Sequence, residues 1–298
     1  MSYIVFQIEG GIGKNVIATS VIRAINKEFP DRKIIILTAY PDIWELNPRV
    51  WRVFKFGETQ YFYEDYIKDK DTLLFLQEPY RHTDFIYRKK HLSEIWCQMY
   101  NITFDGEKPE LYFTQLEGDF VYSIINKEKP IFLINPFGGS NTNSKYSWAR
   151  DIPPLLAQEI VNEASKKYRV IQIKREDQLS LNNCESMSLS IRQLTLALIY
   201  SDKRLLIDSY LQHAAAAIGL ESVVLWIGNS PIVFGYSTHK NIIAEFDNAS
   251  FRSCLYEPYD ILGDPIQIAT PPNFIFDKNQ ILKELDLLDE NIMNNNEQ

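Results

Sequence analysis

Asp208-Ser209-Tyr210-Leu211-Gln212-His213-Ala214-Ala215-Ala216-Ala217-Ile218-Gly219 continues the short apolar run Arg204 to Asp208 and opens a helix of mostly small residues. A buried strand that passes directly into such a helix belongs to α/β chains, where helices lie on a parallel sheet. The start of that helix is a natural anion site. Its first backbone N–H groups have no partner within the helix, and the helix dipole favours negative charge there by roughly 0.3–1 kcal/mol. The alanines let the helix sit close to the sheet and so fix where its start points. The same residues also suit a plain helix cap at Asp208 or Ser209, with His213 hydrogen-bonded in the core.

Outward from this stretch the pattern repeats. Apolar runs at Tyr3 to Ile8, Lys33 to Thr38, Thr72 to Gln77, Ile131 to Asn135, Arg169 to Lys174, Arg204 to Asp208 and Ser222 to Ile227 read as buried parallel strands. Between the first two, Ile17, Val21, Ala24 and Ile25 share one face of a helix over Lys14 to Glu28, which makes a βαβ unit. Further helices are expected over Ile152 to Lys167, Arg192 to Tyr200 and Gln212 to Gly219. The 298 residues suit two domains of ordinary size. The expected fold class is therefore α/β, with two Rossmann-like domains facing a cleft. One spans residues 1–125 and the other 126–278, joined within Thr114 to Pro130. Residues 279–298 form a terminal helix crossing back over the other domain, plus a polar tail.

The residues also carry a resemblance. Asp208 to Gly219 resembles the Asp-Thr-Gly-Pro-x-His-x-Ala-Ala-Ala-x-Gly segment of the heptosyltransferase-like glycosyltransferases, family nine, which have the GT-B fold. Thr19 to Ile25 is similar to that family's first helix, and Asn47-Pro48-Arg49-Val50 to its Asn-Pro-x-Val segment. Asn135-Pro136, Lys145 and Trp148 are similar to its Asn-Pro-Gly and Lys-x-Trp region. The resemblance implies an enzyme that moves a sugar from a nucleotide-sugar donor to a hydroxyl acceptor, inverting and metal-independent, with no cofactor beyond the donor. It implies that Ser209, Tyr210, Gln212 and His213 hold the diphosphate, with Lys145 and Lys174 near the phosphates and Glu176 at the ribose. Gly11, Gly13 and Asn15 fall on the acceptor side. A cation is apt near the phosphates because charge grows on the departing diphosphate.

Two departures stand out. Tyr210 replaces a glycine, so the backbone approaches a phosphate less freely, while the ring offers a stacking face or a hydroxyl. Lys14 stands in the catalytic position where the resemblance puts an acidic proton acceptor, a role lysine takes only with a sharply lowered pKa. Glu9, in the same loop, is the substitute base, and Asp42 and Glu45 are further carboxylates beyond the second strand.

Glu9-Gly10-Gly11-Ile12-Gly13-Lys14-Asn15 also resembles the phosphate-binding loop of partitioning ATPases, in which the Gly10 to Lys14 loop would cradle a nucleotide. Asn15 then stands where a magnesium-binding hydroxyl is needed, and Glu9 replaces the signature lysine. A non-catalytic sugar-nucleotide-binding protein is the third reading.

The net charge of −8 ranks nucleic acid below a carbohydrate as acceptor. If the acceptor were a modified DNA base, the aromatic group Trp44, Trp51, Tyr61, Phe62, Tyr63 and Tyr66, with Arg81, Arg88, Lys89 and Lys90, would be its platform. Three cysteines without close pairing indicate neither a disulfide framework nor a zinc site, and His82, His91 and His239 lack metal-ligand spacing. No apolar run reaches membrane-spanning length and no leader pattern opens the chain, so a cytoplasmic protein is expected.

Overall fold

The computed structural model describes residues 2–125, 128–138, 149–246 and 273–288. In the first half, β1 (Ser2–Ile8) leads through Gly10 into α1 (Ile12–Glu28) and then β2 (Lys33–Thr38). Gly10 has φ +95°, a conformation that only glycine takes readily, and this lets the strand turn directly into the helix. A 3-10 turn at Pro41–Trp44, β3 (Val50–Lys55), α2 (Phe62–Tyr66) and β4 (Asp71–Phe75) follow. A second 3-10 turn at Pro79–Arg81 leads to α3 (Thr83–Ile86) and α4 (Leu92–Met99). The strands form a parallel sheet in the order β3-β2-β1-β4.

The second half begins with α5 (Gln115–Ile125), β5 (Ile131–Ile134), α6 (Pro154–Ala164), β6 (Arg169–Ile173), β7 (Glu185–Met187) and α7 (Ile191–Tyr200). It continues with β8 (Lys203–Ile207), α8 (Tyr210–Ala217), β9 (Val223–Trp226), α9 (Pro231–Phe234) and β10 (Lys240–Ile243). A small antiparallel pair, β11 (Glu245–Phe246) and β12 (Phe274–Ile275), precedes α10 (Lys278–Glu284). The main sheet is parallel, in the order β10-β9-β8-β5-β6-β7. Its first strand lies in the middle and the order reverses between β5 and β8. The first sheet reverses in the same way between β1 and β4. In open parallel sheets such switch points leave a crevice outside the carboxyl ends of the strands, where ligands bind.

The seven strands read from sequence are all present. Five further strands have no such apolar run: β3, β7 and β10 are short or half-exposed edge strands of the two parallel sheets, and β11 and β12 are two-residue strands. Two boundaries also differ. The supposed linker contains α5, whose Val121 and Ile125 are buried with Ile131, Leu133 and Leu196 of the second sheet's core. As far as residue 288, the final segment packs on its own half. Ile281 and Leu282 of α10, with Leu285 just after it, share a core cluster with Phe132, Ile160 and Leu205, and Lys278 pairs with Glu159 of α6 at 2.8 Å.

The halves meet where α1 lies on α8. Ile17 of α1 is buried in one cluster with Leu211, Ala214 and Ala215 of α8, together with Phe85, Leu92 and Ile95. Burial of such a side chain stabilises the fold by about 1.5–3 kcal/mol. A polar tie reinforces the contact. The Arg192 guanidinium of α7 donates to both Glu117 oxygens of α5, at 2.6 and 3.0 Å, and to the Asp42 and Tyr112 carbonyls. It also lies 3.2 Å from Glu45.

Hydrogen bonds from Arg192 hold the Glu117 carboxyl down to about 2, from an ordinary value of 4.5. A depressed carboxylate contributes its stability above the unfolded-state pKa and loses it as pH falls through the folded one. After discounting for solvent screening, the pair contributes about 1 kcal/mol. Glu117→Gln is therefore expected to be less stable than the wild type in urea titrations at pH 7, with the difference closing between pH 4.5 and 2.

Candidate functional site

At the second switch point, Asn135 follows β5 and Ser209 follows β8. The Ser209 hydroxyl donates to Asn135 Oδ1 at 2.9 Å, while Asn135 Nδ2 donates to the Phe137 and Ile173 carbonyls at 3.2 and 3.3 Å. One buried amide thus pins the loops after β5, β6 and β8. Because the Ser209 hydroxyl is used in this way, no side chain caps the first turn of α8, and no acidic residue occupies that turn. Its N–H groups keep the anion-binding character expected of an open helix start. Asp208 beside it accepts from Asn229 and lies 3.9 Å from Arg150.

A cavity of about 450 Å³ opens beside these loops, lined by Phe137, Pro154 and residues 176–180. Glu176 is exposed on its wall, and Lys174 donates to Ser180 at 3.0 Å. Both stand where the sequence reading puts them, on the loop after β6. Lys145 and Trp148 lie outside the described residues.

The side chains of α8 differ from expectation. The Tyr210 hydroxyl is turned into the fold, donating to the Ile191 carbonyl at 2.8 Å and hydrogen-bonded to Thr195. Burial pushes its pKa well above the usual phenol range. The hydroxyl ties α8 to α7 and leaves only the residue's backbone at the helix start. Gln212 is fully buried and donates to the Phe234 carbonyl at 3.0 Å, so its amide serves the core. His213 is also buried, with Nδ1 3.0 Å from the Tyr236 hydroxyl. Burial, followed by the neighbouring His91, His239 and Arg150, holds it well below its ordinary pKa as a neutral imidazole.

The first switch point lies directly opposite. A Cβ added to Gly13 would come within 2.9 Å of the His213 ring and 3.6 Å of Tyr210 Cα, so the starts of α1 and α8 touch. The first turn of α1 likewise has no side-chain cap and no acidic residue. Gly11, at its N-cap, is exposed. The Asn15 side chain is turned inward: it is fully buried, donates to the Gly11 carbonyl at 3.1 Å, and accepts from Thr38 and from Trp44 Nε1 at 2.5 and 3.1 Å.

Lys14 is buried too, its amine paired with Glu78 and lying 4.5 Å from the centre of the Tyr80 ring. Burial pulls its pKa below the ordinary value, while the Glu78 carboxylate opposes the change. Glu9 is exposed and accepts from Gln7 at 2.7 Å. Glu45 is held by Arg192. Glu78 escaped the sequence reading because it lies 64 residues from its partner, and the only local signal was its position just past an apolar run.

The aromatic group is divided. Trp44 and Tyr66 are core residues, while Trp51, stacked on Tyr3 with ring centres 5.6 Å apart, stays exposed along with Tyr61 and Tyr63. Among the described residues, no group of three or more His, Cys, Asp or Glu is placed to hold a metal, and no helix is long and apolar enough to cross a membrane.

Two Rossmann-like units meeting at their switch points define the GT-B fold. The chain is similar in structure to a family 9 glycosyl transferase from Veillonella parvula, with a TM-score of 0.62 and 12% identity over 81% of this chain and 85% of that one. It is similar to the ADP-heptose lipopolysaccharide heptosyltransferase II of E. coli, with a TM-score of 0.63 and 14% identity over 83% of this chain and 91% of that one. A third similar structure is an E. coli heptosyltransferase with ADP, with a TM-score of 0.55 and 9% identity over 82% and 93% of the two chains. No family model matches the sequence, and no curated protein does.

The contact of α1 with α8 is tested by a double-mutant cycle. Gly13→Ala is expected to cost about 1–3 kcal/mol by overpacking against a hydrogen-bonded ring. In a His213→Ala background the same change should cost at least about 1 kcal/mol less, measured by denaturant unfolding.

Proposed function

We propose that this chain is a glycosyltransferase that binds a nucleotide sugar against the start of α8 and passes the sugar to a hydroxyl group held near the start of α1. The observation that carries this reading is the meeting of two uncapped helix starts at facing switch points. Each presents N–H groups and partial positive charge, which suits a diphosphate whose charge rises as the glycosidic bond breaks. The donor's ribose lies at Glu176 in the cavity beside the phosphate site, and the phosphates meet Ser209 and the backbone of Tyr210. The likeness to structures titled heptosyltransferases supports a nucleoside diphosphate sugar as donor.

In this reading the transfer inverts the anomeric centre and needs no metal, because helix starts and cations offset the leaving group's charge. The acceptor is a carbohydrate hydroxyl. A nucleic-acid acceptor ranks lower, since the net charge is −8 and Trp44 and Tyr66 of the aromatic platform are core.

The ATPase alternative requires Lys14 to reach a terminal phosphate. That amine is buried with Glu78 beneath Tyr80 and Trp96, so reaching outward would break a buried ion pair. Purified protein is expected to rise in Tm with ADP- or UDP-linked sugars and not with ATP and magnesium, because a ligand that binds only the folded state stabilises it. Glu176→Ala should weaken nucleoside diphosphate binding about tenfold, the loss of roughly one charge-assisted hydrogen bond, and leave pyrophosphate binding unchanged. Stabilisation by ATP and magnesium alone would reject the transferase reading.

A further inference from the structure

The first switch point holds a carboxylate that comes from the far side of the crevice. Glu78 follows β4, the strand next to β1, and its side chain reaches back to the amine of Lys14 in the first turn of α1. Its other oxygen accepts from the Tyr80 backbone N–H at 3.2 Å, so both oxygens are oriented. Its side chain nevertheless remains 30% exposed, against 3% for Lys14. A carboxylate oxygen has two lone pairs, so each oriented oxygen keeps room for one more donor.

Three other carboxylates of the strand-end loops are less suited to take a proton between the two helix starts. Glu9 is exposed on the loop surface and bonded to Gln7. Glu45 is drawn to Arg192. Asp208 is buried against Asn229 and Arg150. Glu78 alone among these four combines two oriented oxygens, a place beside the first turn of α1 and a partly exposed side chain.

We propose that Glu78 is the catalytic base of the transfer, with Lys14 as its positioning residue. This inference rests on the glycosyltransferase reading above. The acceptor O–H proton passes to a Glu78 oxygen as that hydroxyl attacks the anomeric carbon. The new C–O bond forms while the bond to the diphosphate breaks, and the electron pair leaves with the nucleoside diphosphate. Lys14 supplies the cation that holds this carboxylate in place.

The test gives the wild type and its variants ADP-glucose, UDP-glucose and GDP-mannose, with water and a pool of free hexoses as acceptors, and reads nucleoside diphosphate release. Glu78→Gln is expected to lower kcat about 100-fold or more, the usual size of a general-base contribution, with the donor KM within about twofold. The loss should exceed that of Glu9→Gln at least about tenfold. Lys14→Met should lower kcat with the donor KM unchanged, as a positioning role requires.

Should Glu78→Gln unfold because it strands a buried lysine, the double variant Lys14→Met with Glu78→Gln replaces the pair by neutral groups. That variant is expected to keep the donor-induced rise in Tm and to lose release. Undiminished kcat in Glu78→Gln, or in the double variant, or a larger loss in Glu9→Gln, overturns the base assignment alone. A raised donor KM with unchanged kcat in Lys14→Met overturns its positioning role. Absence of release from every donor with the wild type overturns the transfer reading and this inference with it.

Discussion

The close approach of α1 and α8 is the constraint on which both crevices depend. Helices can lie this near only where their facing side chains are small, and here Gly13 meets the His213 ring while Ala214 and Ala215 lie in one cluster with Ile17. The contact brings two helix starts together, each with the partial positive charge of unpaired N–H groups. Neither first turn carries an acidic residue to offset it. Two carboxylates beside them, Asp208 and Glu78, are engaged by Asn229 and Lys14.

Buried amides give each switch point its rigidity. Asn15 joins the Gly11 carbonyl to Thr38 and Trp44, so the loop after β1 is fixed to the end of β2. Asn135 does the same for the loops after β5, β6 and β8. A buried amide with its partners in place has few alternatives, since losing one leaves a polar atom unsatisfied at a cost of about 1–3 kcal/mol. The backbone N–H groups of the helix starts are therefore held in place before any ligand arrives.

Much of the fold was legible because buried parallel strands are nearly continuous apolar runs, and seven of them stand in the sequence. β3, β7 and β10 were not legible, since an edge strand faces water on part of its surface and loses that signature. At the site, the loop positions of Glu176, Ser209 and Gly13 were readable from strand ends and glycines. Side-chain direction was not. Tyr210 and Asn15 sit on the expected turns, but their polar atoms are consumed by Thr195 and Ile191 in one case and by Thr38 and Trp44 in the other. Glu78 was invisible for a further reason. Its meaning depends on a strand pairing that only the folded sheet creates.

The shared cluster around Ile17 also bears on how the chain is made. Ile17, Phe85, Leu92 and Ile95 are each at most 4% exposed, and they share a cluster with Leu211, Ala214, Ala215, Val233 and Phe234 of the second half. A nascent first half emerging alone would lack that part of their packing, where full burial of each such side chain is worth about 1.5–3 kcal/mol. The first sheet thus gains this stability only once the second has been synthesised. Because the two sheets share this cluster, they are expected to unfold together, in a single calorimetric transition.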